Sequence, residues 1–149
     1  MNLELKTTVF FIDRCLGKHP IIKMLRGTGV TVEIHDDHFP QNTFDQDWIP
    51  KVGAWGWIIL TKDERIAINS IERQAVARVG ARMFNLASKK LSGEETAFAF
   101  RDALPSILKF ISKNRAPFIA KVYKDGKVVA WKDATNLLNE ISRLDSTAD

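Results

Sequence analysis

The chain has 149 residues, enough for one domain with a sizeable core, and its 45% hydrophobic content excludes a disordered chain. Lys and Arg total 22 against 18 Asp and Glu, a formal charge of +4 that permits a phosphate-bearing partner without requiring one. No apolar run approaches the about 20 residues of a membrane span, which excludes a helical membrane protein. The N-terminus, Met1-Asn2-Leu3-Glu4-Leu5-Lys6, lacks the cationic start and long apolar stretch of a signal peptide. The single cysteine, Cys15, cannot form an intrachain disulfide. Together these features point to a cytoplasmic protein.

Thr7-Thr8-Val9-Phe10-Phe11-Ile12 is a continuous apolar and β-branched run, which predicts a buried strand of a parallel sheet ending at Asp13. Pro20 opens a predicted helix with Ile21, Ile22, Met24 and Leu25 as its apolar face, stopped by Gly27 and Gly29. Residues 30–34 predict a second strand, closed by His35-Asp36-Asp37-His38. After a polar loop, Asp45 is the expected N-cap of a helix carrying Trp48, Ile49 and Val52, with Pro50 acceptable only in its first turn. Trp57-Ile58-Ile59-Leu60-Thr61 predicts a third buried strand ending at Lys62-Asp63.

Residues 70–79 form an amphipathic pattern whose apolar face is Ile71, Ala75 and Val79, and residues 81–86 read as a fourth strand. Ser92 with Glu95 forms a capping box for a long helix to about Asn114, with Pro105 as a point of interruption. Residues 118–123 and 128–131 flank Lys124-Asp125-Gly126-Lys127, a hairpin turn. A short helix covers residues 134–143, and residues 145–149 form a frayed tail. Strand and helix alternate through the first two-thirds. This predicts an α/β fold: a three-layer α/β/α sandwich around a mostly parallel sheet, with a C-terminal hairpin and short helix, all within a single domain over residues 1–144.

In open parallel sheets, ligands bind outside the carboxyl ends of the strands. Asp13, the pair Asp36 and Asp37, and Asp63 each follow a predicted strand, and Asp45 and Asp47 open a helix at the same edge. Clustered carboxylates repel, and Mg²⁺ or Mn²⁺, which prefer oxygen ligands, relieve that repulsion. Such an ion can bind a phosphodiester oxygen and activate water. Aspartate is also common at strand ends and caps for local reasons, so residue type alone leaves ligand and cap both open. His35 and His38 lack the cysteines or second pair of a structural zinc site and read as solvated turn residues.

Phe10-Phe11-Ile12-Asp13, then Asp45-Gln46-Asp47-Trp48, then Leu60-Thr61-Lys62-Asp63-Glu64-Arg65 resemble the PIN-like domains of VapC-type toxins, especially a branch of short standalone PIN-like proteins. The Thr-Lys-Asp segment is the most specific part. The resemblance implies an α/β/α PIN-like fold and Mg²⁺- or Mn²⁺-dependent cleavage of RNA. It assigns metal-binding acids to Asp13, to Asp45 with Asp47 as its neighbour, and to Asp63, with Asp36 or Asp37 as accessories. It also implies a small antitoxin partner and a homodimer.

A conventional PIN domain carries a further acid after its fourth strand. Here that strand continues Ala87-Ser88-Lys89, with Glu94 and Glu95 following inside a predicted helix. A PIN-like scaffold that binds RNA or protein without cleaving is therefore the alternative. Receiver-type and haloacid-dehalogenase-type readings fail because Arg14-Cys15, not an acid, follows Asp13. Lys62 and Arg65 are candidates to neutralise a scissile phosphate, or else internal partners of the aspartates. Arg14, Lys18, Lys109 and Lys113 are candidate RNA contacts. Trp48 and Trp57 read as core, and Trp55 and Trp131 are open to base stacking.

Overall fold

A computed structural model describes residues 7–17, 19–88 and 90–147. In chain order its elements are β1 (Val9–Ile12), α1 (His19–Gly27), β2 (Thr31–Ile34), α2 (Asp45–Ala54), β3 (Ile58–Thr61), α3 (Ser70–Val79), β4 (Arg82–Leu86), α4 (Gly93–Lys113), β5 (Phe118–Val122), β6 (Val128–Lys132) and α5 (Ala134–Thr147). Short 3₁₀ turns cover Arg14–Leu16, His35–Asp37 and Glu64–Ala67. The strands form one sheet in the order β2-β1-β3-β4-β5-β6. Pairing is parallel from β2 to β5, and β6 joins β5 antiparallel.

Strand residues alternate between two apolar layers. Phe10, Ile12, Ile58, Leu60, Phe84 and Phe118 pack on one face with α1 and α4, through Ile21, Leu25, Phe100 and Ile107. Phe11, Ile59, Met83 and Ile119 pack on the other with Trp48, Ile49 and Val52 of α2, Val76 of α3 and Leu137 of α5. Burial on both faces is why these strands are continuous apolar runs, and the fold is the expected α/β/α sandwich. Among the described residues no helix is long and apolar enough to cross a membrane.

Several details differ from the sequence reading. The hairpin is not appended: its strands are the last two of the central sheet. The final helix runs on to Thr147, and Asp145, expected in a frayed tail, pairs with Arg78 at 2.7 Å. α4 continues through Pro105 unbroken. Pro50 is the sixth residue of α2, beyond its first turn. The face of α3 is broader and shifted: Ala75 and Val79 pack partly buried against the core as expected, Glu72, Val76 and Ala77 are buried beside them, and Ile71 is 53% exposed. Gly53 lets α2 and α3 approach closely, since a Cβ there would lie 2.5 Å from Val79 Cγ1.

Candidate active site

β1 and β3 are neighbours, but the chain leaves β1 toward β2 and leaves β3 toward β4. Their carboxyl ends therefore open a crevice at the point where strand order reverses. Asp13 extends β1 by one residue, donating its backbone N–H to the Leu60 carbonyl at 3.1 Å. Its side chain is only 7% exposed. Oδ2 accepts the Thr61 hydroxyl at 2.8 Å and the Cys15 thiol at 3.5 Å. Burial pushes the Asp13 carboxyl above its ordinary range, and the bonds from Thr61 and Cys15 offset part of that rise. Burial and the Asp13 charge push the Cys15 thiol up to about 12, so it stays protonated and donates.

Asp63 follows β3 and caps the turn after it, accepting the Arg65 backbone N–H at 2.9 Å. Arg65 also grips both Asp63 oxygens, Nε to Oδ1 and Nη2 to Oδ2, each at 3.1 Å. The same Nη2 reaches Asp45 Oδ2 at 3.3 Å. Asp45 is not the N-cap of α2: Phe44 holds that position, and Asp45, the first helical residue, accepts Trp48 Nε1 at 2.9 Å. Trp48 is bound at both ends, its ring in the core and its N–H on the acid. From α3 comes Glu72, 5% exposed. One oxygen from each of Asp45, Asp63 and Glu72 falls within a common span of 4.8 Å.

These acids are not ionised alike. Burial, a proton shared with Asp63 and the Asp13 charge push Asp45 up to about 8. Burial works upward on Asp63 too, but bonds from Arg65 and Asp45 hold it below the usual carboxylate range. Burial and the Asp63 charge raise Glu72. The cluster thus contains more carboxyl groups than it ionises together near neutrality, even with Arg65 beside it.

Asp13, Asp45, Asp63, Glu72 and Thr61 enclose a cavity of about 10 Å³, roughly one water molecule. Asp13, Asp45 and Asp63 also line an open cleft of about 600 Å³, edged by Arg14, Lys62 and Arg65. An all-oxygen donor set that carries excess carboxyl groups fits a hard divalent cation such as Mg²⁺ or Mn²⁺.

The fold brings together Asp13, Asp45, Asp63, Lys62, Arg65 and Arg14, and it separates the other candidates. Asp47 is exposed on a different groove with Pro50 and Ile71. Asp36 pairs with Arg14 Nε at 2.9 Å, and Asp37 is exposed; neither lines the acid cavity. Asp36 thereby holds Arg14 at the cleft rim. His35 is 2% exposed among Phe11, Phe39 and Trp48, not a solvated turn residue. His38 lies 2.9 Å from Glu33 and against Trp57.

Lys18 lies outside the described residues. Lys109 and Lys113 sit near the end of α4, which starts after β4 at the cleft edge and returns to the start of β5. Sixteen to twenty residues of helix span about 24–30 Å, so these lysines are at the opposite edge of the sheet. Glu95 completes its capping box with Ser92 and pairs with Lys124.

Glu72 is the acid that sequence reasoning missed. Its only signal is Asn69-Ser70-Ile71-Glu72, which reads as a capping box. Asn69 does cap α3, accepting the Ile71 N–H at 3.0 Å, but the box is not closed: of the Asn69 donors Glu72 accepts only the side-chain amide, at 3.5 Å, and its carboxyl turns to the acid cluster.

Residues 8–88 match the family model described as a PIN like domain, a span holding all four acids. The chain is also 30% identical over 126 residues to "Putative ribonuclease VapC45" of Mycobacterium tuberculosis, covering 82% of this chain and 91% of that protein. No solved structure matches the chain. The family match, the α/β/α sheet and the extent of the likeness agree, and the chain belongs to the PIN-like domain family as a VapC-type member.

Proposed function

We propose that this chain is a divalent-metal-dependent endoribonuclease, the toxin of a toxin–antitoxin pair, hydrolysing RNA phosphodiester bonds above Asp13, Asp45, Asp63 and Glu72. The observation that carries the reading is the convergence of these carboxyls from four chain segments on one water-sized cavity beneath a cleft edged by cations. RNA as substrate rests on the name of the Mycobacterium tuberculosis relative. Glu72 supplies the further acid whose absence after β4 favoured a non-cleaving scaffold.

Asp13, Asp45, Asp63 and Glu72 are the residues to hold Mg²⁺ or Mn²⁺, which when bound supplies Lewis-acid activation of the phosphate and of the attacking water. Asp45 releases its proton to join that set. Thr61 and Cys15 fix the Asp13 carboxylate, and Trp48 fixes Asp45. Arg14, Lys62 and Arg65 offer positive charge to the phosphate at the cleft mouth. The VapC kinship adds a small antitoxin that covers the acidic cleft and a homodimer.

The test is cleavage of single-stranded RNA by purified protein in Mn²⁺, Mg²⁺ or EDTA, alongside Asp13→Asn and Asp63→Asn. Cutting is expected only with metal and only in the parent chain. An unchanged cleavage pattern in Asp13→Asn, or in EDTA, overturns the mechanism.

A further inference from the structure

The cleft does not end at the acids. A second cavity of about 470 Å³ adjoins it, and Glu64, Arg65 and Leu86 line both. Its floor is the sheet: Asn85 on β4, Ile119 and Lys121 on β5, and Trp131 on β6. Asn85 and Lys121 are register partners, and Ile119 and Lys121, two residues apart, share a face of their strand. Ile66 and Ile68 form a side wall, with Ile68 84% exposed.

Trp131 is half-buried, packed against the cluster of Ile119 and Leu137. Lys121 Nζ lies 5.5 Å from the centre of its ring and Lys132 Nζ 5.3 Å. Among the described residues neither lysine has a carboxylate partner. An ammonium resting on an exposed aromatic face is weakly held, more weakly than a nucleobase stacks on the same face. The groove therefore joins an aromatic platform to Lys121, beside the cleft where the phosphodiester is read to bind, while Lys132 reaches the same ring from a neighbouring cavity that Glu140 also lines. That charge favours a phosphate-bearing occupant over an apolar peptide or a second copy of this chain.

Resting on the nuclease reading above, the geometry points to a nucleotide subsite: an unstacked base of single-stranded RNA lies on Trp131, and its flanking phosphate pairs with Lys121. From β3, which Asp63 follows, to β6 is three strand spacings, about 14 Å, or a few nucleotides from the bond to be cut. Bases in a duplex are stacked and paired, so the subsite selects single strands.

The experiment measures fluorescence anisotropy of a labelled oligouridylate of about ten nucleotides on the full chain, in an Asp63→Asn background that prevents turnover. Trp131→Ala is expected to weaken binding about 5- to 150-fold, and Trp131→Phe to keep most of it. Binding of a duplex of equal length should not change. Lys121→Gln should reduce the steepness of log K against log salt by about 0.7. Should Trp131→Ala melt non-cooperatively, Trp131→Phe and photocrosslinking of 4-thiouridine RNA decide, with the crosslink expected on the peptide containing Trp131.

Parent-like affinity in a folded Trp131→Ala chain, or crosslinks only elsewhere, overturns the subsite. So does a change in sedimentation at unchanged RNA affinity, which makes the groove an interface between copies. If the parent cuts RNA with Mn²⁺ but Trp131→Ala binds normally, only the subsite fails. If the parent cuts nothing, the nuclease reading fails and the binding comparison still decides the subsite.

Discussion

The Thr61 hydroxyl donates to Asp13 Oδ2 at 2.8 Å, and the same hydroxyl oxygen accepts the backbone N–H of Asp63 at 3.2 Å. One side chain thus sets the spacing of two acids from neighbouring strands. Thr61→Val keeps the shape and removes both bonds, leaving the buried carboxyl with the weak Cys15 donor and the Arg14 backbone N–H. The loss of a donor to a buried charge costs about 1–3 kcal/mol, equivalent to a melting temperature lower by about 3–10 °C. Differential scanning calorimetry at pH 7 measures it, and an unchanged midpoint would show that Thr61 does not hold Asp13.

Glu72→Gln is near-isosteric and takes one negative charge from the cluster of Asp45, Asp63 and Glu72. Repulsion falls, so in EDTA the variant is expected to melt about 2–4 °C higher than the parent. Affinity for Mn²⁺ should fall about 10- to 100-fold, the range for lost support at a metal site, with cleavage falling at least in proportion. The opposite signs separate a ligand from a merely structural residue. A variant that melts lower in EDTA while keeping parental Mn²⁺ affinity removes Glu72 from the site.

Asp13 and Asp63 were legible because Asp13 directly follows one continuous buried run and Asp63 follows another across Lys62, so the strand pattern itself fixes which edge they occupy. Asp45 was found for a partly mistaken reason: it opens α2 but bonds Trp48 instead of capping. Glu72 was invisible because periodicity assigns burial to apolar residues, so Ile71, Ala75 and Val79 were chosen as the inner face of α3. Ala75 and Val79 do pack inward, but the helix also turns Glu72 inward with Val76 and Ala77 and leaves Ile71 outside. A buried acid has no one-dimensional signature; it is recognised only when its partners from other segments surround it. The distance of Lys109 and Lys113 from the cleft was equally unreadable, since charge runs say nothing about which edge of the sheet a long helix has reached.

Arg65 is the internal counter-charge of Asp63 and Asp45, yet its side chain is 69% exposed. Such exposure limits the pair to about 1 kcal/mol, so Arg65→Gln should lower the melting temperature in EDTA by only about 2–4 °C. The same substitution frees carboxylate oxygens that the guanidinium holds, so stabilisation by saturating Mn²⁺ should exceed the parent's. Cleavage should nonetheless fall, because a cation at the cleft mouth is gone. Titration of the melting temperature with Mn²⁺ is decisive: a smaller metal response than the parent's would mean that Arg65 supports the metal set and does not compete for it.

The pH dependence follows from Asp45. Its folded value, about 8, lies above the ordinary 3.8, because of burial, the proton shared with Asp63 and the Asp13 charge. Between those values the unfolded chain has lost the proton and the folded chain keeps it, so the unfolded state binds fewer protons and stability falls as pH rises. The raised values of Asp13 and Glu72 act in the same direction. Asp63, held low, acts oppositely and only in acid: the stability it contributes is present above its unfolded value and is lost as pH falls through its folded one. In EDTA the chain should therefore melt higher at pH 5 than at pH 8, and Asp45→Asn should flatten most of that slope. Metal binding displaces the Asp45 proton, so the rise in melting temperature on adding Mn²⁺ should grow from pH 5 to pH 8. A metal response independent of pH, with the EDTA slope intact, would place the cation away from Asp45.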